Sequence, residues 1–220
     1  MGISKFVNKY LGRYQHLKIL DLDQLFPAAS SNPTTIVDYT YVYGNLPVSE
    51  LLILCQIVRY KNPKTLFEIG TFRGETTLQL AVNTEAEIYT LDLSLNCLKQ
   101  IKETKIGDPS LDVYTDQVGV RFSGTRYSSR INQLYGNSQT FDFTAYYDKV
   151  DVIFVDGSHH YEFVLRDSQN ALKMVNRNGL IIWHDYSTYA PGVVKALHRI
   201  AQSKSLINIA GTSLVVHQVH

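Results

Sequence analysis

From residue 64 onward, short β-prone runs alternate with helical segments, and this alternation constrains the fold more than any other feature of the sequence. Strands that are joined through helices pair in parallel, and the helices cover both faces of the sheet. The final two strands have no helix between them, so the last strand is expected to run antiparallel. The pattern therefore predicts an α/β fold with a doubly wound, mostly parallel sheet of seven strands. The predicted strands are 64–70, 87–93, 130–136, 151–157, 180–185, 205–210 and 212–218, and the predicted helices between them are 74–83, 94–103, 161–179 and 192–203.

The first 45 residues lack this alternation and are predicted to form an N-terminal helical extension and linker ahead of the main domain at 46–220. Apolar residues recur at helical spacing over 3–20, with basic residues between them, which indicates an amphipathic helix. Such a helix would dock on the domain, pair with a second copy of the chain in a homodimer, or lie on a membrane surface. The polar stretch at 105–130 fits no element, and so long a loop in a compact domain is usually functional or mobile.

The composition excludes several classes of function. The formal net charge is +1 over 220 residues, without a long basic run, so nucleic acid is not an expected partner. The longest apolar run, 51–58, is too short to cross a bilayer, and the N-terminus lacks the apolar core of a signal peptide. Two cysteines, Cys55 and Cys97, provide no disulfide framework. We therefore expect a soluble cytoplasmic protein.

The first predicted strand of the sheet ends in an E-x-G-x-x-x-G pattern formed by Glu68, Gly70 and Gly74. Ligands bind at the carboxyl ends of parallel strands, where glycines let the backbone approach closely and the next helix offers free N–H groups. The spacing differs from G-x-G-x-x-G, which disfavours a dinucleotide and hence a nicotinamide-dependent dehydrogenase. The alternative is a plain tight turn between strand and helix.

The next two predicted strands also end in polar residues. Asp92 lies about 20 residues past the glycine turn, where an acid can accept hydrogen bonds from the ribose hydroxyls of a nucleoside. It can equally cap the following helix. Ser138 and Gln139, after the third strand, are short polar residues that can reach an adenine edge or form an ordinary turn.

The fourth and fifth predicted strands bring carboxylates and imidazoles to one edge of the sheet. Asp156 ends the fourth strand, with His159 and His160 just beyond it, and His184 and Asp185 end the fifth. Neighbouring carboxylates repel each other, so a metal ion or a cationic ligand between them would explain the arrangement. The alternative is that the two aspartates cap helices and His184 is a satisfied residue at the edge.

These motifs, taken in order, resemble those of class I S-adenosylmethionine-dependent methyltransferases. The resemblance covers about 64–217 and is strongest to the methyltransferase-24 group, and more distant to catechol and macrolide-sugar O-methyltransferases. It implies a Rossmann-like fold and S-adenosylmethionine as the cofactor. The motifs that carry it are FEIGTFRGETT, IYTLDLS, GNSQ, VDVIFVDGSHHYE, GLIIWHDY and PGVVKAL.

The resemblance also implies roles for individual residues around the cofactor. Residues of the glycine turn would surround its methionine end, Asp92 would hold the ribose, and Ser138 and Gln139 would contact adenine. The full set of cofactor-binding residues implied in this way is Glu68, Gly70, Thr71, Phe72, Gly74, Thr76, Asp92, Ser138, Gln139 and Asp156.

Metal-dependent members of the class bind their ion through an Asp after the fourth strand and an acidic pair after the fifth. Asp156, His184 and Asp185 occupy these positions, and the histidine departs from the pattern. It makes the site softer than the oxygen-only shell that Mg²⁺ prefers, so either another divalent ion binds or none does. His159 lies three residues past Asp156, where catechol-type enzymes carry their catalytic lysine, which favours His159 over His160 as the general base.

The resulting hypothesis is an O-methyltransferase that acts on a hydroxyl of a small molecule, such as a sugar or natural product, with help from a divalent metal. Two alternatives remain: methylation of a nitrogen without metal, and a nucleoside- or metal-binding module without transfer activity. Three arginines of the long loop, Arg121, Arg126 and Arg130, would meet an anionic acceptor or form a solvated face.

Overall fold

A computed structural model describes residues 17–94, 96–97 and 118–220, and it contains one eight-stranded sheet within them. The strands are β1 Lys18–Leu20, β2 Thr65–Ile69, β3 Glu87–Asp92, β4 Ile131–Tyr135, β5 Val150–Val155, β6 Val175–Trp183, β7 Ile207–Ile209 and β8 Val215–Gln218. The helices are α1 Leu22–Leu25, α2 Val48–Lys61, α3 Glu75–Asn83, α4 Tyr161–Met174 and α5 Pro191–Ile200, with short 3₁₀ turns at Ala29–Ser31, Ser128–Arg130 and Thr144–Tyr146.

The sheet has the order β1-β7-β8-β6-β5-β2-β3-β4. All neighbouring strands are parallel except β8, which is antiparallel to both β6 and β7. The predicted Rossmann-like sheet and its antiparallel last strand are therefore confirmed. From β2 the chain adds β3 and β4 toward one edge of the sheet. It then returns to the other side of β2, where β5 and β6 extend the sheet in the opposite direction. The strand order reverses between β2 and β5, and a crevice at such a point is the usual place for a ligand.

The central strands are apolar on both faces because helices cover both faces. Along β5, Ile153 and Val155 belong to the cluster that includes the buried side of α4 and α5. Val152 and Phe154 point the other way, into the cluster formed with α2 and α3. All four side chains are nearly inaccessible to solvent. Alternation along a strand thus produces two cores, and the first polar side chains appear only where the strands end.

Two sequence predictions differ from the structure in extent. The predicted helix at 3–20 lies outside the described residues up to residue 16, and Lys18–Leu20 form an eighth strand, pairing with β7 at the sheet edge. The helix predicted over 161–179 ends at Met174, because β6 already begins at Val175, which pairs with the start of β5. The predicted helix at 94–103 lies outside the described residues except at 94 and 96–97, and the loop predicted over 105–130 lies outside them up to residue 117.

The described part of the long loop packs on the glycine turn. The backbone N–H groups of Gly119 and Arg121 donate to the carbonyls of Phe72 and Arg73, both at 2.9 Å. Arg121 also forms an ion pair with the buried Glu75 at 2.8 Å. These contacts make the loop a support for the turn. Among the described residues, no helix is both long enough and apolar enough to span a membrane.

Arg130 binds the end of a helix. Its guanidinium donates to the carbonyls of Ala81 and Thr84, at 3.0 and 2.6 Å, in and just after the last turn of α3. A cation at this end of a helix satisfies carbonyls that have no partner within the helix and is favoured by the helix dipole. These hydrogen bonds give Arg130 a role in stabilising the end of α3.

Candidate active site

The turn after β2 is built so that its backbone lies directly against the end of β5. Gly70 has a φ of +104°, and a Cβ on it would lie 2.1 Å from the carbonyl oxygen of Asp156. Gly74, with a φ of +82°, precedes α3, and a Cβ there would meet the ring of Phe122 at 2.5 Å. Only glycine fits both positions, so the E-x-G-x-x-x-G spacing has a structural cause.

Glu68 lies beneath this turn and is 1% exposed. Its Oε2 accepts hydrogen bonds from the hydroxyls of Thr77 and Thr90, the latter at 2.5 Å. Burial raises the pKa of Glu68 to about 8, despite the two hydroxyls. Its Oε1 has no hydrogen-bond partner among the residues described. Thr76, also predicted near the cofactor, is buried in the first turn of α3.

Asp92 ties the glycine turn to the end of β3. One carboxylate oxygen accepts the backbone N–H groups of Thr71 and Phe72 at 2.9 and 2.6 Å, and the other accepts that of Leu93 at 2.6 Å. Thr71 and Phe72 therefore owe their positions partly to Asp92. The ribose role of Asp92 stays a prediction.

Ser138 and Gln139 follow β4, and each has a feature that fits a binding role. The hydroxyl of Ser138 is hydrogen-bonded to the carboxyl of Asp167, a buried residue of α4. The side-chain nitrogen of Gln139 is buried and has no partner in the described part of the chain. A buried donor without a partner is costly, and a bound ligand can supply the missing acceptor.

The structure brings the three predicted metal ligands together. Asp156 directly follows β5, and His184 and Asp185 directly follow β6. Nδ1 of His184 lies 3.1 Å from Oδ1 of Asp156 and 3.2 Å from Oδ2 of Asp185. One donor atom from each of the three residues fits within 4.8 Å of the others. A mixed nitrogen and oxygen set of this size suits a divalent transition metal.

Glu50 is a residue of this site that the sequence analysis missed. Its Oε2 lies 2.7 Å from Nε2 of His184. Its carboxylate is held in turn by the backbone N–H of Ser213 at 2.5 Å and by the Ser213 hydroxyl at 3.1 Å. Glu50 stands in the first turn of α2, where an acid is ordinary, so its sequence position gave no indication of the role.

The carboxylates around His184 determine its charge. Burial lowers the pKa of His184, but Asp156, Asp185 and Glu50 raise it more, so the pKa stands well above its usual range. Both ring nitrogens face carboxylates, so the ring is an imidazolium when no metal is bound. A metal at Nδ1 would replace one proton, and Nε2–H would still donate to Glu50. Metal-bound histidines commonly donate their second ring N–H to a carboxylate in this way.

His159 joins the same cluster through Asp185. Its Nε2 lies 2.7 Å from Oδ2 of Asp185, and its side chain is half-exposed. The hydrogen bond to Asp185 raises the pKa of His159, and burial offsets this only in part. The pKa of Asp185 is lowered, because the two histidines outweigh its burial.

His160 lies beside His159 in a different setting. It is exposed, precedes the first residue of α4, and donates its backbone N–H to the Ser158 hydroxyl at 3.2 Å. The structure therefore brings His159 to the carboxylates of β5 and β6, in line with its preferred role as the base, while the role itself stays a prediction.

The comparison with known proteins identifies the family. The profile of a family described as "Methyltransferase domain" matches residues 67–186, which include the glycine turn and Asp156, His159, His184 and Asp185. The chain belongs to this methyltransferase family. Its domain is therefore of the class I type, whose cofactor is S-adenosylmethionine.

Solved structures support the fold of this methyltransferase. The O-methyltransferase TomG from Streptomyces achromogenes, in complex with S-adenosylmethionine, superimposes with a TM-score of 0.58 at 12% identity and covers 100% of both chains. An O-methyltransferase from Bacillus cereus, in complex with S-adenosylhomocysteine, gives a TM-score of 0.57 at 15% identity and covers 98% of this chain and 97% of that one. At this identity the likeness establishes the fold alone.

A curated relative of the methyltransferase is uncharacterized protein R132 of Acanthamoeba polyphaga mimivirus. The two are 26% identical over 142 residues, which are 64% of this chain. The chain spans 60% of the length of that relative.

Proposed function

We propose that this methyltransferase transfers the methyl group of S-adenosylmethionine to a hydroxyl oxygen of a small molecule, with His159 as the general base. The observation that carries the proposal is the cluster of His159, Asp185, Asp156 and His184 at the carboxyl ends of β5 and β6. The glycine turn of the cofactor site contacts the same strand end, since Gly70 packs on the Asp156 carbonyl. A base and a methyl donor would thus share one crevice.

The transfer forms an oxygen–carbon bond, breaks the sulfur–carbon bond and leaves the hydroxyl proton for the protein to accept. Because Asp185 is ionised, the Nε2 of His159 that faces it carries a hydrogen. That leaves Nδ1 of the neutral ring to take the proton from the acceptor. Asp185 then stabilises the imidazolium that forms, as a carboxylate does in other histidine–aspartate pairs.

Asp156, His184 and Asp185 fit a divalent ion, since their donor atoms converge and two of the three are carboxylates. Such an ion would lower the pKa of a bound acceptor hydroxyl. Glu50 would orient the His184 ring from the side away from the ion. The histidine in the set favours Mn²⁺, Fe²⁺ or Zn²⁺ over Mg²⁺.

The cofactor assignment can be tested at Asp92. Replacing Asp92 with Ala is expected to weaken binding of S-adenosylhomocysteine by about 1.5–3 kcal/mol, the scale of hydrogen bonds to a charged group. The same change removes the acceptor of the Thr71 and Phe72 N–H groups, so stability should also fall. Calorimetry gives the affinity, and urea unfolding without ligand gives the stability. A folded variant with wild-type affinity would contradict the ribose assignment.

The metal assignment can be tested at Asp156. Replacing Asp156 with Asn is expected to lower Mn²⁺ affinity by at least about 10-fold, because a charged ligand becomes neutral, while S-adenosylhomocysteine still binds. The matched control is Asp151→Asn, at the opposite end of the same strand, where the carboxylate accepts the N–H groups of Lys64 and Thr65. That change should affect stability and leave Mn²⁺ binding intact. Electron paramagnetic resonance of free Mn²⁺ measures both, and equal affinity in all three proteins would remove the metal from the proposal.

The same assay has an expected pH dependence. A metal must displace the proton on Nδ1 of His184, whose pKa is raised well above 6.5 by the surrounding carboxylates. Mn²⁺ affinity should therefore rise with pH through that raised value, and it should already be weak at neutral pH compared with its alkaline limit. An affinity that levels off below about pH 6.5, the ordinary histidine value, would contradict this account of His184.

A further inference from the structure

Asp167 is a buried carboxyl group that none of the steps above uses. It lies in α4, is 1% exposed, and receives a hydrogen bond from Ser138. Its Oδ1 is buried and has no hydrogen-bond partner among the described residues. An acceptor placed in this way is expensive for a protein to keep unless something binds it.

The position of Asp167 links it to the crevice at the strand ends. Gly157 follows Asp156 directly, and a Cβ on it would lie 3.5 Å from Oδ2 of Asp167 and 3.7 Å from Ile69, the last residue of β2. The carboxyl group is thus next to the point where the strand order reverses. Its other contact, Ser138, follows β4, the edge strand on the β2–β3 side of that point.

A second buried polar group without a partner among the described residues lies in the loop after β4, next to Ser138. Gln139 follows Ser138, and its buried side-chain nitrogen also lacks a partner within the described ranges. The pair offers one acceptor, on Asp167, and one donor, on Gln139. Adenine has the complementary arrangement, because its exocyclic amino group is a donor flanked by ring nitrogens that are acceptors.

We propose that Asp167 recognises the adenine of the cofactor by accepting a hydrogen bond from its exocyclic amino group, while Gln139 donates to a ring nitrogen. The inference rests on the proposed function, because it assumes that the nucleoside of S-adenosylmethionine binds at this crevice. Ser138 then orients the carboxyl group. The pair makes the site selective for a 6-amino purine over a 6-oxo purine.

The electrostatics of Asp167 agree with this role. Burial raises the pKa of Asp167 to about 7, and the Ser138 hydroxyl lowers it only in part. A ligand amino group that donates to the carboxylate stabilises its charged form, so the bound ligand offsets the unfavourable burial. Recognition should therefore be clearest when Asp167 is ionised.

The experiment compares S-adenosylhomocysteine with S-inosylhomocysteine, its 6-oxo analogue, by calorimetry. It is done at about pH 8.5, above the raised pKa of Asp167, so that the carboxyl group is ionised. Wild-type protein should prefer the adenosine compound by about 10- to 100-fold, the effect of losing one hydrogen bond to a charged group. Asp167→Asn should lose or reverse that preference, because an amide nitrogen can donate to the 6-oxo group. Glu162→Gln, an exposed change on the same helix, is the control and should keep the wild-type preference.

Each outcome separates this inference from the function on which it rests. If wild-type protein binds neither compound, the proposed function fails and the inference fails with it. If wild-type protein binds S-adenosylhomocysteine and Asp167→Asn keeps the same preference, only the role of Asp167 is overturned. If Asp167→Asn does not fold, wild-type protein is tested with the analogue that lacks the 6-amino group. Binding about 10- to 100-fold weaker then supports the inference, and equal binding overturns it.

Discussion

Replacing Gly70 with Ala is expected to lower the free energy of unfolding by about 3–5 kcal/mol. The residue has a φ of +104°, which is strained for any residue with a side chain, and its Cβ would overlap the carbonyl oxygen of Asp156 at 2.1 Å. Backbone atoms on both sides of the contact belong to central strands or their ends, so neither can move without disturbing the sheet. Urea unfolding followed by circular dichroism measures the change.

Gly124 provides the matched control for this experiment. It also has a positive φ, +72°, but a Cβ on it would meet nothing within 4 Å. Gly124→Ala should therefore cost only the backbone strain, about 1–2 kcal/mol. The difference between the two variants isolates the close approach of the glycine turn to β5. Equal losses at both positions would show that this approach contributes nothing to stability.

Replacing His159 with Asn is expected to lower kcat by about 100- to 10,000-fold, the usual contribution of a general base. Asparagine can still donate a hydrogen bond to Asp185, but at neutral pH it cannot take the hydroxyl proton of the molecule that is methylated. Affinity for S-adenosylhomocysteine should stay close to wild type, because His159 is assigned to the acceptor. The assay follows labelled methyl groups from S-adenosylmethionine to hydroxylated and amine acceptors, which also separates O- from N-methylation.

His160 distinguishes the two candidate bases. His160→Asn should reduce kcat far less than His159→Asn, since His160 is exposed at the start of α4 and His159 is the one paired with Asp185. A larger loss at His160 would transfer the role of base to that residue. If neither change affects kcat, the proton leaves by a route that involves no histidine of this segment.

Glu50 accounts for the histidine that departs from the family pattern. The resemblance implies an acidic residue at position 184, and the histidine found there reduces the negative charge of the proposed metal ligands. Oε2 of Glu50 lies 2.7 Å from Nε2 of His184, so Glu50 places a negative charge on the side of the ring away from the proposed ion. Burial tends to raise the pKa of Glu50, but its bonds to His184 and Ser213 lower it overall, so it stays ionised. The cluster thus combines three carboxylates with two imidazoles.

The sequence by itself determined the order of the elements and the ends of the strands. Apolar runs and helical spacing are local patterns, and parallel strands leave their last residues at one edge of the sheet. For that reason Asp156, His184 and Asp185 could be expected together, and the glycines of the first turn could be expected to let a ligand approach the backbone closely. The antiparallel last strand followed from a connection too short to hold a helix.

Only the tertiary structure decided which buried side chains complete the site. Glu50 and His184 are 134 residues apart in sequence, and no periodicity links an acid in a first helical turn to a residue after a distant strand. Asp167 is one of several polar residues in a helical segment, and it is the loop after β4 that places Ser138 against its carboxyl group. The edge strand Lys18–Leu20 likewise exists because β7 offers it unpaired backbone groups. Such pairings depend on how layers pack, which local sequence patterns do not encode.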